Sequence, residues 1–202
     1  MATRSRSEAI RSSSRSGGRD FSAIRAEFSL PAEYPTDALA EVEQVLAADL
    51  GPREDATDLP LVTIDPPGAK DLDQALLVRR HGTGYRLDYA IADVGHFVHS
   101  GGALDAEARR RGQTLYLPDA VVPLHPTLLS EDAASLLPGE VRPSVLWTID
   151  CDADGEAQAV HVRRATVRSI AQYDYDTVRQ QLAAGEGPHV LQGRSLVRCS
   201  GE

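Results

Sequence analysis

The sequence predicts an α+β fold in which helices flank a mixed, largely antiparallel sheet. Two turn signals support the sheet, because each lies between apolar runs of strand-like composition: His81-Gly82-Thr83-Gly84 and Asp152-Ala153-Asp154-Gly155. Apolar residues at helical spacing indicate the helices, most clearly within residues 31–50.

The elements follow in order along the chain. Residues 1–20 are rich in Ser, Arg and Gly and carry five Arg against Glu8 and Asp20, which predicts a disordered basic tail. Residues 31–50 are predicted to be helical. The remaining predictions are strands over residues 61–65, 74–79, 85–92, 144–151 and 157–168, a short helix over 103–111, and a final helix from about Tyr175 to Ala184.

The most informative stretch is the acidic segment, residues 65–73, which reads Asp-Pro-Pro-Gly-Ala-Lys-Asp-Leu-Asp. Its Pro-Pro-Gly sequence, residues 66–68, predicts a sharp turn after a buried strand. If the chain is extended again after the turn, Asp71 and Asp73 point to the same face, and Asp65 can fold back toward them. Three converging carboxylates repel one another unless a hard cation lies between them. The spacing alone is compatible with a magnesium site but is explained somewhat better by a solvated acidic loop, since acid-rich loops are common.

Further motifs occur in order around this segment. They are Thr63-Ile64-Asp65-Pro66, Lys70-Asp71-Leu72-Asp73, Ala90-Ile91-Ala92-Asp93-Val94, Gly102-Ala103-Leu104-Asp105, Thr114-Leu115-Tyr116-Leu117-Pro118-Asp119, Pro123, His125-Pro126, Leu129-Ser130, Ser135-Leu136-Leu137-Pro138-Gly139, Val141-Arg142-Pro143 and Tyr175-Asp176. Together they closely resemble the catalytic (RNB) domain of the ribonuclease II and ribonuclease R family. The resemblance implies a hydrolytic exoribonuclease that degrades single-stranded RNA from the 3′ end to nucleoside monophosphates. It also implies bound magnesium, for which manganese is an expected substitute.

The resemblance assigns the catalytic and metal-binding roles to Asp65, Asp71 and Asp73. The family usually shows a fourth acid directly after the position of Asp73, where this chain has Gln74. One negative charge is therefore missing from a site that is expected to balance two cations. An amide oxygen still ligates a hard metal, so Gln74 weakens the case for full activity without removing it.

The resemblance also implies an aromatic clamp on RNA formed by Tyr116 and Tyr175. Stacking on tyrosine suits a sequence-independent nuclease, since every base has a flat π face. Taken alone, each tyrosine is better explained by core packing. The basic run Arg109, Arg110 and Arg111 is a candidate for phosphate contacts, with a solvated helix face as the alternative.

A transition-metal site is not expected at His96 and His99, because no Cys or third His stands at zinc-like spacing. Asp93 ends an apolar strand, and two interpretations stay open for it. Its side chain either faces the acidic site or caps a turn.

The composition predicts a soluble, cytoplasmic protein, and a monomeric state is expected. The two cysteines, Cys151 and Cys199, show no disulfide-framework spacing, and no apolar stretch is long enough to span a membrane. The formal net charge of −9 opposes binding to nucleic acid unless the basic residues are clustered.

Four segments are predicted. They are a basic tail over residues 1–20, an N-terminal helical segment over 21–54, a partial RNB-like catalytic domain over 55–185, and an atypical C-terminal tail over 186–202. The resemblance fades after about residue 185, although the family's domain continues further. We therefore expect weak, salt-sensitive RNA binding with little turnover. The alternative function is a truncated, catalytically inactive fragment that acts as an RNA- or protein-binding module.

Overall fold

The structure is a computed structural model and describes residues 11–12, 20–31 and 33–184. Its helices are α1 Ser22–Glu27, α2 Thr36–Leu46, α3 Val94–Phe97, α4 Ala103–Arg111 and α5 Tyr175–Ala184. Its strands are β1 Arg11–Ser12, β2 Glu54–Ile64, β3 Gln74–His81, β4 Gly84–Ala92, β5 Leu115–Tyr116, β6 Ala120–Val122, β7 Val141–Cys151 and β8 Ala157–Tyr173. A short π-helix, Leu129–Ala133, lies between β6 and β7.

The chain divides into two compact units. The first combines the described residues up to Ala48 with Phe97–Leu129, and the second combines Asp49–His96 with the described residues from Ser130 onward. The units are therefore discontinuous in sequence, whereas the predicted segments were linear.

Five strands of the second unit form a closed barrel in the order β2-β3-β4-β7-β8. Neighbouring strands are antiparallel except β2 and β8, which pair in parallel and close the barrel. The two predicted hairpins are present. Gly82 turns the first with a φ of 57°, and Asp152 Oδ1 organises the second by accepting a hydrogen bond from the amide of Asp154 at 3.0 Å.

Small and branched aliphatic side chains fill the core of this unit. The buried cluster is Ala56, Leu61, Val62, Leu72, Ala75, Leu77, Ala90, Ala92, Leu136, Leu146, Ala165, Val167 and Val178. Full burial of one such leucine or valine stabilises the fold by about 1.5–3 kcal/mol. Leu72 belongs to the acidic segment, so packing ties that segment to the barrel.

The first unit contains the other helices and strands. Helix α2 buries Ala38, Val42 and Val45, and it contacts α4 through a hydrogen bond of 3.0 Å from the amide of Leu104 to Glu41 Oε2. That bond satisfies an amide in the first turn of α4 that has no partner within the helix. The strands β1, β6 and β5 form a separate antiparallel sheet.

The predicted fold class is confirmed, since helices accompany a largely antiparallel sheet. Helices α4 and α5 match the predicted spans, whereas α2 is shorter than the predicted helix over residues 31–50. The first half of β2 was missed, because residues 54–60 are mostly polar and end in Pro60. Irregular pairing with β8 between Ala56 and Leu61 accommodates that proline.

The predicted tails fall mainly outside the described residues. Within residues 1–20 the structure describes only Arg11–Ser12, which pair with β6, and Asp20. Residues 186–202 lie wholly outside the described part. Among the helices that the structure describes, none is both long and apolar enough to cross a membrane.

Candidate active site

The acidic segment begins where β2 ends. The amide of Asp65 donates a 3.0 Å hydrogen bond to the carbonyl of Tyr173, which continues the pairing of β2 with β8 by one residue. The predicted turn follows directly, with the amide of Ala69 bonded to the carbonyl of Pro66 at 3.0 Å and a φ of 83° at Gly68. Only glycine adopts that φ without strain, which explains the Pro-Pro-Gly sequence.

The rest of the segment is irregular but still alternates its side chains. Leu72 is fully buried, whereas Asp71 and Asp73 on either side of it are exposed. The regular strand starts only at Gln74, although the carbonyl of Asp73 already accepts a 2.9 Å hydrogen bond from the amide of Ala92. The burial pattern therefore directs Asp71 and Asp73 outward together.

The carboxylates of the segment act on one another electrostatically. Burial raises the pKa of Asp65 above its ordinary value, and the charge of Asp71 raises it further. Asp73 is accessible to solvent, but its surroundings partly desolvate the carboxyl and raise its pKa, and the charges of Asp71 and then Asp65 raise it further. Within the described part of the chain, no arginine or lysine forms an ion pair with Asp65 or Asp73. Their negative charge is thus crowded rather than neutralised.

These side chains suit a hard divalent cation by donor type and by charge. Carboxylate and amide oxygens are the ligands that magnesium prefers, and it commonly keeps several waters and substrate oxygens in its shell. Among the described residues, however, no group of three or more His, Cys, Asp or Glu side chains is already arranged to hold an ion. Binding would therefore require these side chains to rotate, or water and phosphate to complete the coordination.

Gln74, the first residue of β3, has a defined partner. The hydroxyl of Tyr89 on β4 donates a hydrogen bond to Gln74 Oε1. Burial raises the pKa of Tyr89. Since a tyrosine hydroxyl is protonated at neutral pH in any case, it is able to donate. The amide is consequently oriented by a neighbouring strand, a contact that sequence spacing does not reveal.

The side chain of Asp93 forms a buried ion pair, which neither of the two open interpretations anticipated. Its Oδ2 atom lies 2.8 Å from Arg53 Nη2, and the two side chains are only 4% and 2% exposed. The Nε atom of Arg164 lies 3.4 Å from the same oxygen. The Asp93 side chain therefore forms a buried ion pair, while its carbonyl accepts the amide of His96 at the start of α3.

Comparison with known proteins identifies the family. The RNB domain model matches residues 53–192. The chain belongs to the RNB domain family. The expected span of residues 55–185 lies within that match, so the resemblance is confirmed.

The curated relatives of this RNB chain include ribonucleases R. That of Acidithiobacillus ferrooxidans is 38% identical over 160 residues, which cover 77% of this chain and 36% of the relative. That of Mycoplasma genitalium is 40% identical over 131 residues, which cover 64% of this chain and 18% of the relative. The solved structure of Mycoplasma genitalium RNase R in complex with double-stranded RNA matches with a TM-score of 0.72 and 32% identity, covering 86% of this chain and 32% of that one. The chain thus spans about a third or less of the length of these relatives.

Both candidate stacking residues of the RNB chain are exposed. Tyr116 is 71% exposed in the first unit, and Tyr175 is 61% exposed at the start of α5 in the second. Core packing, the alternative for each tyrosine taken alone, is therefore wrong. Each ring offers a surface on which a base can stack.

The basic run at the end of α4 divides into two kinds of residue. Arg109 and Arg110 have side chains that are 73% and 54% exposed, although each is paired with an acid one turn earlier on the helix. The side chain of Arg111 is 2% exposed, binds Glu107 at 2.7 Å, and lies 3.6 Å over the ring of Tyr34. Burial makes Arg111 a structural residue, so any RNA contact falls to Arg109 and Arg110.

A charged cleft of about 400 Å³ lies at the opposite end of the barrel from the acidic segment. It involves the start of β2, the end of β3, the start of β4, the end of β7 and the first half of β8, and sequence analysis did not predict it. The lining residues are Glu54, Leu59, Arg79, Arg86, Asp88, Thr148, Asp150, Ala159, Val160, His161 and Arg163.

The carboxylates of this cleft are paired with arginines. The ion pairs are Arg79–Asp88 at 2.9 Å, Arg86–Asp150 at 2.5 Å and Arg163–Glu54 at 2.9 Å. Thr148 joins two of them, because its hydroxyl donates to Asp88 Oδ1 at 2.7 Å and accepts from Arg163 Nη1 at 2.9 Å. The cleft is consequently balanced in charge.

Proposed function

We propose that this RNB chain acts as a magnesium-dependent 3′-to-5′ exoribonuclease that hydrolyses single-stranded RNA to nucleoside monophosphates. The observation that carries the proposal is the crowding of three carboxylates on the acidic segment, where burial and mutual repulsion raise the pKa of Asp65 and Asp73. Titratable groups perturbed in this way are typical of functional sites. The names of the relatives support the reaction class.

Asp65, Asp71 and Asp73 would hold the cation, with the Gln74 amide oxygen as a neutral fourth donor. Magnesium or manganese bound there supplies neutralisation of phosphate charge and activation of water for in-line attack. Without a cation, ionisation of Asp65 and Asp73 is disfavoured by their surroundings. Binding is therefore expected to strengthen as pH rises and these carboxyls lose their protons.

We propose that single-stranded RNA is the substrate because the exposed tyrosines read no sequence and need unpaired bases. Stacking of one base on an aromatic ring contributes about 1–3 kcal/mol. Tyr116 and Tyr175 are the candidate stacking residues, and Arg109 and Arg110 the candidate phosphate contacts. Cytoplasmic location and a monomeric state stay predictions.

The alternative is a module that binds RNA without cleaving it. It is favoured by Gln74, because this neutral residue stands where the family usually has an acid and its oxygen is engaged by Tyr89. In that case RNA would bind through the exposed tyrosines and remain intact.

A cleavage assay distinguishes the two functions. The purified chain is incubated with magnesium and single-stranded RNA carrying a 3′ label, and in parallel with the same RNA carrying a 5′ label. Exonucleolytic attack from the 3′ end releases a labelled mononucleotide at once in the first reaction and shortens the RNA progressively in the second. Fluorescence anisotropy of the same RNA measures binding independently of cleavage.

Two controls make the assay decisive. Chelation of magnesium and the Asp71→Asn variant should each abolish release of the label. Release that persists in the variant would identify a contaminating nuclease. Intact RNA that nevertheless binds the wild-type chain would favour the non-catalytic module.

A further inference from the structure

The conformation of the acidic segment depends on hydrogen bonds from other parts of the chain. Residues 69–73 form neither helix nor strand, so their backbone amides and carbonyls lack the partners that regular structure supplies. Buried backbone groups need hydrogen-bond partners, and the positions of those partners determine the path of the chain. The partners of this segment therefore control where its carboxylates lie.

One side chain supplies two of these partners. The hydroxyl of Ser135 donates a 2.6 Å hydrogen bond to the carbonyl of Lys70 and accepts a 3.0 Å hydrogen bond from the amide of Leu72. A serine hydroxyl has a single donor, and here that donor is used. Ser135 is 1% exposed, so water does not readily replace it.

The residue after Ser135 continues the same contact. The amide of Leu136 donates a 2.9 Å hydrogen bond to the carbonyl of Leu72, and both leucines belong to the buried core. Ser135 and Leu136 thus act on residues 70–72 much as a neighbouring strand would. The backbone is held on both sides of Asp71 and directly before Asp73.

Ser135 is itself held in place. Its amide donates to the carbonyl of Asp132 at 3.0 Å, and its carbonyl accepts from Arg142 Nε at 3.2 Å. The guanidinium of Arg142 also binds Asp132 at 3.0 Å. The hydroxyl therefore has little freedom to move away from the acidic segment.

We propose that Ser135 is the positioning residue of the metal site, in that its hydroxyl fixes residues 70–72 and thereby the separation of Asp71 and Asp73. The inference rests on the proposed function, since it assigns a task within the proposed cation site. Ser135 does not touch the cation or the RNA. Its effect passes through the backbone to the two carboxylates.

The test compares Ser135→Ala with Ser144→Ala. Ser144 is a matched control because it is fully buried, lies on β7, and directs its hydroxyl to the carbonyl of Ala165 at 3.5 Å rather than to the acidic segment. Affinity for Mn²⁺, measured by calorimetry and by electron paramagnetic resonance, should fall about tenfold or more in Ser135→Ala, as is typical when the support of a metal ligand is removed. It should be unchanged in Ser144→Ala.

Two readouts separate positioning from a general loss of stability. In Ser135→Ala, the magnesium concentration that gives half-maximal cleavage should rise, while the rate at saturating magnesium should return to the wild-type value. Ser135→Thr keeps a hydroxyl and should restore part of the Mn²⁺ affinity. Equal Mn²⁺ affinity in wild type and Ser135→Ala overturns the inference while leaving the metal site intact. A wild-type protein that binds no Mn²⁺ overturns the metal site, and the inference with it.

A measurement on the unmodified protein covers the case in which Ser135→Ala does not fold. Hydrogen exchange of the Leu72 amide, followed by NMR, should be at least about tenfold slower than that of the exposed Gly68 amide, after correction for sequence effects. Exchange of the Leu72 amide at the rate of an open loop would show that the Ser135 contact is absent and would overturn the inference.

Discussion

Each end of the barrel carries three carboxylates, but the two ends differ in how the negative charge is compensated. At the charged cleft, each acid lies between 2.5 and 2.9 Å from an arginine. In the acidic segment, by contrast, the neighbours that act on Asp65 and Asp73 are other carboxylates. The two ends therefore differ in charge compensation rather than in the number of acidic residues. Within the described part of the chain, no arginine or lysine pairs with Asp65 or Asp73.

The pKa directions express the same contrast. The hydrogen bond from Arg86 lowers the pKa of Asp150 at the charged cleft, whereas burial and like charge raise the pKa of Asp73 in the acidic segment. A fold selected only for stability gains nothing from the second arrangement, because crowded carboxylates repel. An arrangement of this kind is what the proposed cation site requires, since a bound cation would relieve the repulsion.

The largest expected effect concerns stability at the charged cleft. Asp88→Ala should lower the free energy of unfolding by about 2 kcal/mol, because it leaves the Thr148 hydroxyl without its buried acceptor and the partly exposed Arg79 without its ion-pair partner. Denaturant unfolding measures the change. Mn²⁺ affinity should stay at the wild-type value in the folded variant. If Asp88→Ala kept wild-type stability but lost Mn²⁺ binding, the charged cleft and not the acidic segment would be the metal site.

The next effect concerns metal binding in the acidic segment. Asp73→Asn removes one of the three crowded charges and should weaken Mn²⁺ binding at least about tenfold, or about 1.4 kcal/mol. Calorimetry of the two proteins provides the measurement. Asp150→Asn is the matched control, since it removes a carboxylate that is already paired with Arg86. Equal affinity in wild type and Asp73→Asn would contradict the proposed site.

A smaller effect is expected at Gln74. Gln74→Asp adds the missing negative charge and should tighten divalent-ion binding by roughly three- to tenfold, since ligand charge tunes such sites. The cleavage rate should rise with it. Tyr89→Phe serves as control, because it frees the Gln74 amide without adding charge. If Gln74→Asp changes neither quantity, Gln74 either already ligates the ion or lies outside the coordination shell.

The smallest effect is a pH dependence with opposite signs at the two ends. The raised pKa of Asp73 means that the folded state holds a proton longer than the unfolded state. Stability is therefore lost as pH rises from the ordinary aspartate range through the raised value. In the absence of metal, Asp73→Asn should gain about 0.5 kcal/mol over wild type at neutral pH, a value kept small because Asp73 is solvent-exposed. The gain should vanish below the ordinary aspartate pKa.

Asp150→Asn provides the opposite case for the same measurement. The lowered pKa of Asp150 stabilises the fold above the ordinary aspartate range, and this contribution is lost as pH falls through the lowered value. The variant should therefore be less stable than wild type at neutral pH and equal to it in strong acid. Thermal unfolding between pH 2 and 8 tests both variants. If both variants were more stable than wild type at neutral pH, or both less stable, the two ends would not differ in charge balance.

Much of the local structure follows from sequence alone, because it depends on neighbouring residues. Pro66 and Pro67 restrict φ and Gly68 permits a positive φ, so a turn was predictable. The hairpin at Asp152–Gly155 follows from the preference of Asp and Gly for turns. Helices α4 and α5 were predicted at their observed bounds. The acids of the segment were identified by their spacing and by the resemblance, before any geometry was known.

Other features arise only from contacts between distant parts of the chain. The parallel pairing of β2 with β8 closes the barrel, yet residues 54–60 carry no clear strand signal. The same holds for the ion pair of Arg53 with Asp93, the burial of Arg111 and the Ser135 contact with the acidic segment. Sequence periodicity reports which face of an element is apolar. It does not report which polar groups from distant parts of the chain will come into contact. Only the packed structure determines whether a carboxylate pairs with an arginine, as Asp93 does, or lies near other carboxylates, as Asp73 does.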